Sequence, residues 1–196
     1  MDTGQFWQNT DIMRLRALFE AAPALRLFQA SVLITDRQVA RAMLRNESPF
    51  QALRLRKLVL HRLDATTDVV AFCSDLRCHA SLDKLTLEFA ALDTAAAMGA
   101  VADACIALGL RNLVLGGCRI VPAELPQLTR LIAAGVLRKL RLFNDDLEIF
   151  DEARESTRLF VAAVRASSMT RLQLFELGVL PEGVLEAAAF INARQQ

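Results

Sequence analysis

The sequence lacks the long apolar runs that mark membrane spans and secretion signals. Its most hydrophobic stretch, 92–110, is interrupted by Asp93, Thr94 and Asp103, so no run of about 20 apolar residues exists. Residues 1–5 carry neither the basic start nor the apolar segment of a signal peptide. We therefore expect no membrane partner and a cytoplasmic or nuclear location.

The sequence also has little net charge. Its 23 basic and 22 acidic residues leave a formal charge of +1, which gives the whole chain no attraction to nucleic acid or to an anionic membrane. Hydrophobic residues make up 54% of the chain, enough to form a large core. We expect a folded protein that does not bind nucleic acid.

Residues for catalysis and metal binding are scarce. His61 and His79 are its two histidines, and no nucleophile-elbow, phosphate-loop, zinc-protease or dinucleotide-binding motif occurs. Of the four cysteines, Cys73 and Cys78 lie near His79, but no second ligand pair completes a zinc site. The cysteines are expected to be reduced thiols in the core. We predict no catalytic residue, cofactor, metal site or small-molecule substrate.

Leucine, by contrast, is abundant and regularly spaced. Five segments follow the pattern L-x-x-L-x-L, with one methionine in a first position, and they start 27, 28, 27 and 32 residues apart. The segments are 55–60, 82–87, 110–115, 137–142 and 169–174, with a sixth, degenerate copy at 22–27. Apolar residues at the fourth and sixth positions have the period of a strand with one buried face. The repeat therefore predicts a stacked array of strands.

The segments between the strands have helical periodicity. The predicted helices are 36–45, 67–79, 94–108, 124–134, 151–166 and 182–193. Thr94 is a start signal, and Gly109 and Gly135 are stop signals. We attribute the 32-residue spacing to a longer helix at 151–166.

Two further apolar patterns predict which residues face the core. Ten residues past the start of the repeat an apolar residue recurs, and we expect it to turn the chain inward before each helix; these residues are Leu92, Ile120, Leu147 and Val179. In the last helix, the spacing of Leu185, Ala188 and Ile191 predicts the buried face.

A period near 28 with a full helix resembles the leucine-rich repeat of the ribonuclease-inhibitor-like type. Cys118 stands at the ninth position, where this family places Asn or Cys to bond the turn backbone. The resemblance implies an α/β fold: a right-handed solenoid in a horseshoe arc, with a parallel concave sheet and convex helices. It would comprise about six repeats in 22–196, preceded by a capping segment at 1–21.

The outward-facing strand positions predict a binding face. Basic residues recur at the third position and aromatic residues at the seventh, which suits an acidic protein surface with aromatic anchors. The predicted partner-binding residues are Lys57, His61, Lys84, Glu88, Lys139, Arg141, Phe143, Arg171, Gln173 and Phe175. Polar residues also keep an exposed sheet in solution, and this alternative stays open. So does the role of Gly116 and Gly117, either a shallow pocket or a local relaxation of the strand.

These observations favour a protein–protein interaction module that binds a protein partner, in particular an acidic one, on the concave sheet. One alternative is a regulatory subunit, such as a ubiquitin-ligase substrate receptor or a GTPase regulator. Another is a structural subunit of a large assembly. The repeat pattern does not separate them, because one fold hosts many activities.

Overall fold

The computed structural model describes residues 28–34, 53–61, 63, 66–77, 79–80, 82–143, 149–151, 153–175 and 177–194. For residues 28–34, 53–55, 61 and 66–67 it describes the backbone only. The predicted helix at 36–45, the capping segment at 1–21, the degenerate copy at 22–27 and Leu147 lie outside these residues.

Six strands form one parallel sheet in which each strand pairs with the next strand along the chain. The strands are β1 (Phe28–Ile34), β2 (Leu53–His61), β3 (Lys84–Glu88), β4 (Asn112–Gly116), β5 (Lys139–Phe143) and β6 (Arg171–Phe175). Parallel neighbours need a crossover between them, and the repeat supplies it as a helix.

The repeated leucines form continuous rows across the sheet. Register places the fourth-position leucines of β2 to β6 side by side. This row is Leu58, Leu85, Leu113, Leu140 and Leu172, and each member is at most 1% exposed. The sixth-position leucines form a second row in the same register. The predicted spine of neighbouring parallel strands is therefore confirmed.

The first strand lies later in the chain than the degenerate copy at 22–27 predicts. In β1, Val32 and Ile34 stand opposite Leu58 and Leu60. Val32 precedes Leu58 by 26 residues, close to the regular period, whereas the predicted equivalent Leu25 precedes it by 33. The β-branched residues of 28–34 also favour a strand there. The predicted position of the first repeat, at 22–27, was therefore wrong.

Within the described residues, five helices form a layer on one face of the sheet. They are α1 (Thr66–Leu76), α2 (Ala95–Leu108), α3 (Leu125–Ala133, after a 3₁₀ turn at Pro122–Glu124), α4 (Glu155–Ala166) and α5 (Glu182–Ala193). One continuous core joins their buried residues to the leucine rows. The Thr94 hydroxyl accepts the N–H of Ala97 at 3.2 Å, and Gly109 ends α2 in a left-handed conformation, both as predicted. No helix in the described ranges is long and apolar enough to span a membrane.

The long spacing between the last two repeats has a different origin from the one expected. With 12 residues, α4 is shorter than α2, which has 14. The additional residues lie in the connection from Phe143 to Glu155 instead. There the Asp151 carboxylate accepts the N–H of Ala153 at 3.0 Å and an Arg154 N–H at 3.2 Å, which holds a turn ahead of the helix.

The last repeat departs from the two apolar patterns. Val179 is 85% exposed, while Leu177 is buried in its place. In α5 the buried residues are Val184, Ala187 and Ile191, whereas Leu185 is 51% exposed. The predictions for Val179 and Leu185 were therefore wrong, whereas Ile191 is buried as predicted and Ala188 packs against the core.

Helix α5 also contacts the edge of β6 that faces away from β5. The Asn192 side chain accepts the N–H of Leu172 at 3.0 Å and donates to its C=O at 2.8 Å. The side-chain amide of Asn192 thus makes the two hydrogen bonds to Leu172 that a neighbouring strand would otherwise make.

Candidate functional site

The sheet face opposite the helices, here called the open face, carries the second, third, fifth and seventh positions of each repeat. Register aligns the third, fifth and seventh positions into straight rows across β2 to β6. The third-position row is Lys57, Lys84, Asn112, Lys139 and Arg171. The seventh-position row is His61, Glu88, Gly116, Phe143 and Phe175.

The open face is much more basic than the chain as a whole. The four positions from β2 to β6 contain eight basic side chains and two acidic ones, a net charge of +6, whereas the whole chain carries +1. The rest of the chain therefore carries −5. The basic residues are Arg56, Lys57, Lys84, Arg111, Arg138, Lys139, Arg141 and Arg171, and the acidic ones are Asp83 and Glu88.

Ion pairs within the described residues lie mainly on the helix side of the molecule and not on the open face. Five arginines on the helix side and in its connections lie within 3.7 Å of a carboxylate. They are Arg119, Arg130, Arg154, Arg158 and Arg165. On the open face, Lys84, Lys139 and Arg171 have no ion pair with any described residue. These three positive charges are therefore not compensated by a carboxylate of the described residues.

Like charges also stand directly opposite each other on adjacent strands. Lys57 pairs in register with Lys84, and Lys139 pairs with Arg171. Like charges in cross-strand pairs destabilise a sheet, by about 0.2–1 kcal/mol each. An arrangement that costs stability in the free protein favours a role in binding an anion.

A depression of about 340 Å³ lies in the middle of the open face. Its lining includes β4, where Asn112 is shorter than Lys84 and Lys139 beside it, and Val114 is shorter than Arg141. It is lined by Lys57, Asp83, Lys84, Asn112, Val114, Lys139, Arg141, Arg171 and Gln173, together with Leu113 and Leu140. We call it the basic depression.

One carboxylate is held at the side of this depression. Asp83 accepts two hydrogen bonds from the Asn112 amide nitrogen, at 2.9 Å on its carboxylate and at 3.3 Å on its backbone carbonyl. Asn112 thus bonds one carboxylate oxygen and the backbone carbonyl of Asp83.

Beside the depression, an arginine lies against two aromatic rings. The guanidinium carbon of Arg141 is 5.3 Å from the ring centroid of Phe143 and 5.1 Å from that of Phe175. Both distances are within the range of cation–π attraction. Phe175 remains 44% exposed. We call these three residues the aromatic platform.

Two glycines allow aromatic rings to lie on the backbone at the end of β4. A Cβ atom on Gly116 would lie 1.9 Å from Cζ of Phe143, and one on Gly117 would lie 2.7 Å from a ring carbon of Phe89. The space above Gly116 is thus filled by the protein's own Phe143 ring. Beside Gly117, a shallow cleft of about 230 Å³ remains, lined also by Phe89 and Arg119.

The structure brings most of the predicted site residues together in two groups. Lys57, Lys84, Lys139, Arg141, Arg171 and Gln173 line the basic depression, and Phe143 and Phe175 contact Arg141 in the platform. Glu88 is half-buried and lies outside both groups. His61 is described by its backbone alone, which places it next to Glu88 in register.

Sequence reasoning missed three residues of this surface. Asp83 and Asn112 form the hydrogen-bonded side of the depression, and the break in the third-position row at Asn112 was the available signal. Phe89 is 50% exposed with a left-handed φ of 55°. That backbone conformation is uncommon for a non-glycine residue, and nothing in the local sequence indicates it.

The described cysteines belong to the core. Cys73, Cys105 and Cys118 are buried with free thiols. Burial raises the pKa of Cys73 to about 12 and that of Cys118 to about 11, so both thiols are protonated and poor nucleophiles at neutral pH. The Cys118 thiol donates to the carbonyls of Leu87 and Gly116, each at 3.4 Å, as the ninth position of the repeat predicts.

Comparison with known proteins gives a fold and no family. No protein-family model matches the chain, and no curated protein matches it. Among solved structures, the tropomodulin C-terminal domain of Caenorhabditis elegans is similar, with a TM-score of 0.55 and 14% sequence identity over 82% of this chain and 93% of that one. This likeness shows a fold of the leucine-rich-repeat type, in which parallel strands alternate with helices.

Proposed function

We propose that this protein is a protein–protein interaction module whose partner binds the open face of the sheet. The proposal is supported by the excess of basic side chains on this face, by Lys84, Lys139 and Arg171 without an ion pair to any described residue, and by a depression among them with an exposed aromatic ring beside it. Aromatic and arginine side chains carry a large part of the energy in many protein interfaces. Phe143, Arg141 and Phe175 would be the anchors, and the basic rim would set orientation and association rate.

We further propose that the repeats form a right-handed, ribonuclease-inhibitor-like arc with the open face on its concave side. Neighbouring helices pack 8–10 Å apart, whereas neighbouring strands are about 4.8 Å apart. A stack with one helix per strand therefore bends toward the strands. Parallel crossovers are almost always right-handed. A concave open face would surround a partner with several repeats at once.

The observation that carries the proposed function is the contrast between the two sides of the molecule. Arginines of the helix side have carboxylate partners within the chain, whereas like charges stand side by side on the open face. Solubility alone would be served equally well by mixed charges, which also cost less stability.

The proposal is tested by affinity purification from cells with the wild-type chain and three open-face variants: Phe143→Ala, Lys139→Ala and Arg171→Glu. A partner that binds the open face should be recovered at least tenfold less with Arg171→Glu, and reduced with the other two. Arg77→Glu is the matched control, because Arg77 is exposed at the end of α1 and undergoes the same charge reversal on the helix side.

Circular dichroism is first used to confirm that each variant is folded and unfolds at the same temperature as the wild-type chain. Recovery of every partner unchanged with all three open-face variants would refute the proposal. The identity of the recovered protein then decides the role: a ligase adaptor or a small GTPase would indicate a regulatory subunit.

A further inference from the structure

The open face is not uniform, because its aromatic rings and its third-position basic row lie at different ends of the strands, with Arg141 between them. Register places the aromatic rings on β5 and β6, at the carboxyl ends of these strands. The third-position basic row lies four residues earlier on each strand, about 13 Å away at the rise of a strand. A ligand that uses both features must therefore present an anionic part and an apolar part at separate points.

The depression has the size of a peptide segment. At about 340 Å³ it exceeds what a single carboxylate fills, and it is open above β4. From β2 to β6 the open face spans four strand spacings, about 19 Å, which an extended chain of about six residues covers. Several basic side chains along this path would each meet a different residue of the bound segment.

The groups that line the depression indicate which side chains of a partner it would bind. Lys84, Lys139 and Arg171 present ammonium and guanidinium groups without an ion pair to any described residue, and Asp83, the carboxylate within the depression, is bonded by Asn112. The guanidinium carbon of Arg141 lies within 5.3 Å of both ring centroids, and a guanidinium can bind a planar carboxylate through two parallel N–H bonds. The exposed ring of Phe175 offers apolar contact next to it.

We propose that the partner's contacting element is an extended acidic segment of about six residues, with glutamate or aspartate side chains over the basic depression and an adjoining aromatic side chain on the aromatic platform. This proposal rests on the proposed function and adds the chemistry of the partner. The acidic residues meet β3 to β5, and the aromatic residue meets Phe143 and Phe175.

The test uses the full chain and a fluorescein-labelled peptide of four glutamates followed by two residues, the second a phenylalanine, at 50 mM NaCl. Fluorescence anisotropy should show saturable binding, with at least tenfold weaker binding when the glutamates are replaced by glutamines. Raising NaCl to 200 mM should also weaken binding severalfold, because screening acts on exposed ion pairs. Lys139→Glu and Arg171→Glu should each weaken it at least tenfold, and Arg77→Glu less than twofold.

The aromatic contact is tested separately with the peptide whose phenylalanine is replaced by alanine. Phe175→Ala should weaken binding of the original peptide severalfold and leave binding of the alanine peptide unchanged. Equal binding of the glutamate and glutamine peptides, or no binding of either, would overturn the acidic-segment proposal. If a cellular partner is still lost with the open-face variants in that case, the proposed function stands and only the partner's chemistry is wrong.

Discussion

Gly116→Ala tests whether the Phe143 ring is held on the β4 backbone. Gly116 does not have a left-handed φ, so alanine introduces no backbone strain there. Its Cβ would, however, lie 1.9, 2.3 and 2.5 Å from three ring carbons of Phe143, far inside ordinary contact distance. The ring must therefore swing off the strand, which also breaks its contact with Arg141.

Two opposing effects set the size of the change. Replacing glycine by alanine lowers the entropy of the unfolded chain and stabilises by about 0.4–1 kcal/mol. Forcing a side chain out of a packed position costs about 1–3 kcal/mol. We expect Gly116→Ala to lower the free energy of unfolding by about 0.5–2 kcal/mol.

A double-mutant cycle with Phe143→Ala separates these effects. Without the ring, Gly116→Ala should stabilise the protein, since only the entropy effect remains. The coupling energy should reach at least about 1 kcal/mol, as for residues in direct contact. Urea denaturation followed by circular dichroism gives all four stabilities. The reasoning is refuted if Gly116→Ala has the same effect in both backgrounds.

Three further predictions concern the core, the sheet edge and a buried carboxyl. Leu140→Ala should lower the free energy of unfolding by about 2–5 kcal/mol in urea, because it empties a site that is 1% exposed; a loss below 1 kcal/mol would contradict the leucine spine. Asn192→Ala removes two hydrogen bonds to Leu172 and should cost about 1–3 kcal/mol, with faster amide exchange at Leu172 and unchanged exchange at Leu113 as the control. Burial and the neighbouring Asp93 raise the pKa of Glu124, whose Oε2 has no hydrogen-bond partner among the described residues. The folded state therefore binds this proton more tightly than the unfolded state, so the ionised carboxylate destabilises at neutral pH and less as the pH falls. Glu124→Gln should accordingly raise the free energy of unfolding at pH 7, with the gain shrinking on acidification; a gain independent of pH, measured by urea denaturation, would contradict this cause.

The parts of the fold that follow from strand periodicity could be predicted from the sequence. A shift of one residue would turn every leucine of a strand to the wrong face, so the repeat fixes register strongly. For this reason the rows through Leu58 and through Lys57 appear in the structure as expected. The first copy was placed wrongly because Leu25 and Leu27 satisfy the local pattern, while only the pairing with β2 selects Val32 and Ile34.

The last repeat shows what local patterns leave undetermined. Two faces of α5 are nearly equal in apolar content, so periodicity cannot choose between Val184 and Leu185. The choice depends on contacts distant in sequence, including the bond from Asn192 to the β6 backbone. The same holds for the candidate site, since the row positions of Arg141 and Phe175 were predictable, whereas their stacking depends on side-chain geometry across two strands.

The amide of Asn192 also bears on how copies of this protein meet. A strand at the border of a sheet presents unpaired N–H and C=O groups, and these invite a strand from another molecule to add on. At Leu172 both groups are already bonded, so a second molecule would first have to displace the amide from this peptide. One side chain thereby makes strand addition less favourable at this point of β6.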